Sequence, residues 1–530
     1  MKHLIIICLT AFVAVSCGKG NINDNKQIFR YNESANISSL DPAYAKDQAM
    51  IWADLQLYNG LVELDKDLSV QPSVAKHWTI SADALTYRFT LRSDVYFHKS
   101  ELFKNKNNTR KVTADDFVYS FGRIIDEKVA SPGAWIFGNV ANFTAENDTT
   151  LVIRLKKPYA PFLGLLTMPY CSVVPKEVVS HFGKDFRCNP IGTGAFRFKM
   201  WKEGVKLVLV RNEDYFETDE QGNHLPYLDA VSISFIIDKQ SVFLEFVKGN
   251  IDFISGIDAT YKDEVLTRSG NLQPKYQNKI NLATEPYLNT EYLGFQMDNT
   301  DTGNPLQNKK VRQAINYGFD RKKMMRYLRN NIGLAGENGI IPKGLAGYDS
   351  TAVFYNYNPQ KAKELLKECL QNNASITLAT TAAYLDLCKY IQQELIDLGL
   401  NVKIDVSPPG ALREQIAQGK SNWFRGSWIA DYPDAENYLS LFYSKNFSPQ
   451  GPNYTHFSNK QFDILYEQSQ KETDVKKRTE MYKRLNAIVM EESPIVILYY
   501  DQVLRFSQKN IEGLETNPMN LLILKRVKKH

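Results

Sequence analysis

At 530 residues the chain exceeds what one hydrophobic core organises, so two or three lobes are expected. Its 43% apolar and 23% charged residues are those of a globular protein, which excludes a disordered or fibrous one. A net charge of +5 spread over the whole length, with no basic block interleaved with aromatics, excludes a nucleic-acid footprint.

The chain opens with Lys2 and His3, an apolar run from Leu4 to Val15, and Ser16-Cys17. The run is too short to span a membrane comfortably, and it reads as a signal peptide over residues 1–16. Ala14-Val15-Ser16-Cys17 resembles a bacterial lipobox, which implies that Cys17 carries lipid and that residues 17–27 form a tether to the bilayer. No later apolar run approaches 18 residues, so nothing else is expected to cross a membrane.

A short strand is expected at Ile28–Tyr31, then Leu40-Asp41-Pro42, a loop through Gln48, and Leu57-Tyr58-Asn59-Gly60-Leu61-Val62. Leu85 to Arg92 alternates, which points Leu85, Tyr87, Phe89 and Leu91 into a core. Thr113 caps a helix with Asp115 and Asp116 in its first turn and a buried stripe of Phe117, Val118, Phe121, Ile124 and Ile125. The polar stretch His98 to Arg110 reads as a surface loop. Gly192-Thr193-Gly194 is no dinucleotide loop, since residue 197 is Arg and Phe196 to Trp201 alternates as a strand, hairpinned to Val205–Arg211. Asp219 to Asn223 lacks the downstream acid that a calcium loop needs, and no metal is expected there.

Lys309 to Arg321 reads as an amphipathic helix buried through Val311, Ile315 and Phe319. Ile376–Thr380, a helix over 382–398 stopped by Gly399, and Val402–Val406 form strand, helix, strand, which implies parallel pairing. A helix is expected from Gln461 to Met490, a crossing strand at Ile495–Tyr500, and a closing strand at Leu521–Val527.

The segment Arg425-Gly426-Ser427-Trp428-Ile429-Ala430-Asp431-Tyr432-Pro433-Asp434 places a carboxylate at the mouth of a strand, with a Pro stopping any helix. Such a carboxylate suits a ligand ammonium as well as it suits the opening of a turn.

That segment, Leu40-Asp41-Pro42, Leu57 to Val62, Asn189 to Phe196 and Lys309 to Arg321 follow one another in an order that resembles the extracytoplasmic peptide-binding proteins of ABC importers, the oligopeptide- and dipeptide-binding family. The resemblance runs from about Tyr31 to the C-terminus. It implies an α/β, periplasmic-binding-protein-like type II fold, two lobes joined by a two-crossing hinge with an extra intervening lobe. The expected division is lobe I at 28–57, 174–290 and 495–530, lobe II at 58–173, and lobe III at 291–494. It further implies that Asp431 pairs with a peptide's α-amino group and that the backbone at Ser427 and Ile429 bonds the peptide as an added strand. Arg425 would meet the peptide's carboxylate, Gln48 would lie in the loop beside it, and Trp428 and Trp135 would wall side-chain pockets. The implied partners are a peptide and an ABC permease, with the protein exported, lipid-anchored and monomeric.

Enzyme motifs are missing: there is no His-Glu-x-x-His and no Gly-x-Ser-x-Gly, and no pair among the seven His has ligand spacing. No cofactor is expected. A secreted enzyme, with Asp431, Asp434 and Glu436 as carboxylates, stays a competing class, as does the same fold holding an oligosaccharide or a metal chelate. Four cysteines remain beyond Cys8 and Cys17, and a Cys171–Cys188 bridge across a lobe seam is expected, contributing roughly 3 kcal/mol; Cys369 and Cys388 form a weaker candidate pair.

Overall fold

The computed structural model describes residues 26–258, 261–298, 303–369 and 375–530. The signal peptide, Cys17 and nearly all of the tether lie outside these residues. Among them no helix is long and apolar enough to cross a membrane.

An eleven-stranded mixed sheet runs through the molecule. Ile28–Asn32 pairs in parallel with Ala230–Ser234, and the hairpin Phe196–Lys202 and Lys206–Arg211 continues that edge. Ser375–Thr380 and Asn401–Val406 pair in parallel at the other edge, as the strand, helix, strand pattern requires. Two long antiparallel strands, Ile280–Phe295 and Ile495–Gln508, join the halves. Their register is regular from Ile280 to Pro286 and resumes at Thr290, so the ladder is interrupted midway. The expected lobe border near residue 291 falls inside this unbroken strand.

A separate four-stranded sheet, Ala75–Ile80, Thr86–Leu91, Thr150–Leu155 and Val140–Asn147, packs under the helix Ala114–Ile125. Tyr87, Phe89 and Leu91 are buried as the alternation predicts. Thr113 and Asp116 form a reciprocal capping box. Ile125, expected in the helix stripe, is instead half exposed at the helix end.

Other sequence readings are corrected by where polar groups find partners. The stretch from His98 to Arg110 is not among them: it is the mostly exposed loop expected, held at both ends, with His98 buried, accepting from the Gly192 N–H and bonding the Gly194 carbonyl, and Arg110 ion-paired with Asp116 and Glu177. The helix expected over 461–490 is two helices, Lys460–Lys471 and Val475–Glu492, because Asp474 caps the second by accepting from the N–H groups of Lys476 and Lys477. Leu521–Val527 is not a strand. Its carbonyls are taken by side chains, that of Leu521 by Arg505 and that of Leu522 by Gln56, and only Lys528–Lys529 pairs, with Ile511–Glu512. The Cys171–Cys188 bridge does not form: Cys171 is buried in the core of the four-stranded sheet with Sγ on the Leu165 carbonyl, whereas the Cys188 thiol turns back to Asp185. Cys369 and Cys388 are also free.

Glu33 follows the first strand, with one carboxylate oxygen sealed from water and unpartnered. Burial, reinforced by Asp47, pushes its carboxyl from the ordinary 4.5 up to about 8. The folded state therefore holds this proton more tightly than the unfolded chain does, so the group's contribution to stability is fully present below pH 4.5 and is lost as pH rises toward 8. Glu33→Gln is expected to raise stability at pH 8 by a few kcal/mol and to leave it nearly unchanged at pH 4.5. Urea midpoints at the two pH values check this; equal gains at both would refute it.

Candidate functional site

Trp423–Ile429 is a strand because Trp423 and Phe424 bury on opposite faces of the sheet. One edge pairs with Ile280–Phe295 as far as Asn289 opposite Ile429. On the other edge the pairing stops where Ala379 meets Phe424, so among the described residues the backbone from Arg425 onward has no strand beside it. Gly426 is required locally, since a Cβ there would stand 2.8 Å from the Tyr292 ring.

The last rung of the strand is the Ala430 N–H on the Leu288 carbonyl, and Asp431 follows. Asn437, one turn into the next segment, orients it. Its Oδ1 accepts from the Asp431 N–H at 3.2 Å and from the Trp428 indole at 2.8 Å, while its Nδ2 donates to Asp431 Oδ2 at 3.3 Å. No basic side chain lies within ion-pair distance of Asp431 among the described residues. The residue keeps an exposed surface but its carboxyl is crowded by protein, and that crowding pushes its pKa up against the pull of Asn437. Tyr170 lies close to both Asp431 and Asp47, and its hydroxyl is raised to about 12, by burial first and then by the two carboxylates.

Asp431, Trp428 and Trp135 line one cavity of about 480 Å³, with Tyr159, Tyr443 and Asn446 among its other walls. Trp135 is half exposed, with its ring 6.1 Å from that of Tyr432. Below the cavity Glu436 is fully enclosed and accepts from the hydroxyls of Tyr159, Tyr432 and Tyr466. Tyr159 comes from the chain after the four-stranded sheet, so this carboxylate ties that part of the molecule to the large sheet. Asp434 turns away as well, accepting from the Tyr482 hydroxyl at 2.7 Å and from the Glu436 N–H at 2.9 Å. Both carboxylates are spent on protein donors, and neither pairs with Asp431 for acid and base work.

The remaining expected residues are placed differently. Ser427 and Ile429 stand on the free-edged strand, outside the cavity. Gln48 opens the helix Gln48–Leu57, exposed and outside the cavity lining. Arg425 does not present a free charge. It ion-pairs with the buried Glu291, and its guanidinium lies 3.2 Å from the Tyr384 ring centroid.

One cluster has the outline of a hydrolytic triad: Ser448 Oγ stands 3.0 Å from His456 Nε2, and His456 Nδ1 stands 2.7 Å from Asp298. The same Nε2 also lies 3.0 Å from the Ser448 carbonyl, and a carbonyl requires a donor. A ring N–H spent on that carbonyl takes no proton from the hydroxyl, and Ser448 is buried besides. A second cavity, of about 400 Å³, lies between residues 54–73 and 515–526; its buried Lys525 is already held at 2.8 Å by both Glu63 and Glu217.

A model of the middle region of bacterial extracellular solute-binding proteins, family 5, matches residues 69–450. The chain belongs to that family. This family 5 protein is 26% identical over 494 residues to the dipeptide-binding protein of Escherichia coli K12, covering 88% of each chain. It is 26% identical over 503 residues to the glutathione-binding protein GsiB of Salmonella typhi, covering 91% of each. Its fold matches that of HbpA2 from Haemophilus parasuis with a TM-score of 0.82 at 23% identity, over 95% of this chain and 100% of the other. DppA from Helicobacter pylori, solved in complex with the peptide STSA, matches with a TM-score of 0.76 at 25% identity, over 95% and 98%. The family 5 fold is the expected one, a two-lobed α/β solute-binding architecture of type II.

Asn437, Tyr159 and Tyr443 were not foreseen as parts of this site, and Glu436 was considered only as a carboxylate of the competing enzyme reading. Asn437 could have been found, because an Asn six places beyond the carboxylate in a Pro-broken turn is in reach of it; Tyr159 is 272 positions from Asp431 and carries no local signal.

Proposed function

We propose that this family 5 protein is the receptor of an ABC importer that captures peptides by their free amino end, with Asp431 taking the α-ammonium and the backbone at Ser427 and Ile429 bonding the peptide as an added strand. The observation that carries the reading is an oriented, crowded carboxylate with no cationic partner, standing where a strand with one free edge ends. An ammonium supplies the missing charge, and main-chain bonds along the edge are the same whatever the side chains. An oligosaccharide offers no such charge. Trp428 and Trp135 serve as walls for side chains, and the names of the dipeptide- and glutathione-binding relatives support the ligand class.

The lobes divide as 28–57, 174–290 and 495–530, then 58–173, then 291–494, and the cavity beside Asp431 is walled by the second and third. The protein is exported, anchored through lipid on Cys17, works as a monomer, and delivers its ligand to a membrane permease.

Calorimetry with a peptide and its N-acetylated form tests the central point. Acetylation removes the ammonium and leaves Asp431 unpaired in its crevice, so the acetylated form is expected to bind at least 30-fold more weakly, about 2 kcal/mol. Equal binding of the two would sink the ammonium mechanism.

A further inference from the structure

The amino end of the ligand fixes where the other end falls. A chain whose ammonium meets Asp431 and which pairs with the free edge of Trp423–Ile429 runs antiparallel to that strand, toward Arg425. It can go no further, because Ser375–Thr380 occupies the edge from Phe424 on. From Arg425 to Ala430 the edge spans roughly 17 Å, enough for about five extended residues. The carboxyl end of such a ligand arrives at Arg425 and the turn Ala382–Tyr384.

What waits there is already neutral. Glu291, 2% exposed in its side chain, ion-pairs with Arg425. Asp501 holds Arg329 at 2.9 Å, and Arg329 lies over the Tyr499 ring at 4.6 Å. Asn289 ties the acids together, its Nδ2 donating to Glu291 at 3.1 Å and to Asp501 at 3.4 Å. Glu291 cannot swing out, because its backbone sits in the middle of the ladder, opposite Ser427 on one side and Tyr499 on the other. A ligand carboxylate would have to displace a buried carboxylate from its cation and strand it without a counter-charge.

We propose that Glu291 stands in for a ligand carboxylate on Arg425, so that this protein reads the amino end of a peptide by charge and leaves the carboxyl end unread, taking peptide amides as readily as free acids. The inference rests on the peptide reading above. Freed of Glu291, Arg425 becomes a carboxylate receptor.

Native mass spectrometry titrations with matched pentapeptide libraries, one with free carboxyl ends, one with C-terminal amides and one N-acetylated, test it on the wild type and on Glu291→Gln. The wild type is expected to bind acids and amides within about threefold of each other while rejecting the acetylated library, and Glu291→Gln is expected to favour acids over amides by at least tenfold. A wild type that rejects amides by tenfold or more, while still requiring the free amine, overturns this inference and leaves the peptide reading standing. No binding of any library overturns both. Should Glu291→Gln fail to fold, the wild-type comparison of acids with amides decides alone.

Discussion

Asp431→Asn is expected to abolish tight peptide binding while leaving the fold intact. The substitution keeps the size and both hydrogen bonds to Asn437 within reach, with the amide oxygen replacing Oδ2, so the turn after the strand has no reason to move. What it removes is the charge. A ligand ammonium brought into this crevice then loses its hydration without gaining a counter-ion, and removing one partner of a buried pair typically costs about 2–5 kcal/mol, or roughly 30-fold to several thousand-fold in affinity. Far-ultraviolet circular dichroism and the urea midpoint serve as controls for folding, and calorimetry reads the affinity. Normal affinity of Asp431→Asn for free peptides would falsify the assignment of the ammonium to this carboxylate. Because the side chain carries no core packing, a large fall in the urea midpoint would likewise contradict the placement of Asp431 at an open turn.

The largest effect on stability is expected at Gly192→Ala. A Cβ at that position would stand 2.1 Å from the Leu57 carbonyl oxygen and 2.5 Å from the Tyr58 ring. The first of these is backbone at the end of a buried helix, so it cannot be turned aside as a side-chain tip could. His98 also accepts the Gly192 N–H at 3.2 Å, and the shift needed to relieve the clash would break that bond. Overpacking of this kind costs about 3 kcal/mol or more. Gly122→Ala makes the control, since its Cβ would meet nothing within 4 Å and the residue lies inside the helix Ala114–Ile125. That change is expected to stabilise by roughly 0.5–1 kcal/mol. One chemical change with opposite signs at two positions is the result to look for in denaturant midpoints; a cost under about 1 kcal/mol at Gly192 would show that close approach is not what requires glycine there.

These two residues also mark how far the sequence could be read. The place of Asp431 at the end of a strand was legible because its signal is local: a strand pattern, a carboxylate and a Pro within ten positions. The parallel pairing of Ser375–Thr380 with Asn401–Val406 was legible for the same reason, as connection length restricts topology. Gly192 showed its presence but not its cause, since the helix end it packs against lies 135 positions earlier. The partner of Arg425 was not legible, because Glu291 comes from a neighbouring strand, and no spacing in one strand shows what sits across a ladder. The expected closing strand at Leu521–Val527 failed on a related ground. Its alternating Leu522 and Leu524 are buried as in a strand, yet Arg505 and Gln56 take the carbonyls that a ladder would need. Hydrophobic pattern predicts which side chains go inside, whereas the partners of backbone groups are settled by the whole fold.

The position of Ile495–Gln508 bears on how the molecule comes to be made. This strand lies between Ile280–Phe295 and Phe253–Ser255, so it is the piece that joins the two halves of the large sheet. Until it pairs, one edge of each neighbour keeps its backbone groups open, and the contacts that close the sheet span more than 200 residues. The two halves of the sheet can thus form separately and still lie open to each other, and this one strand is the clasp that fastens them.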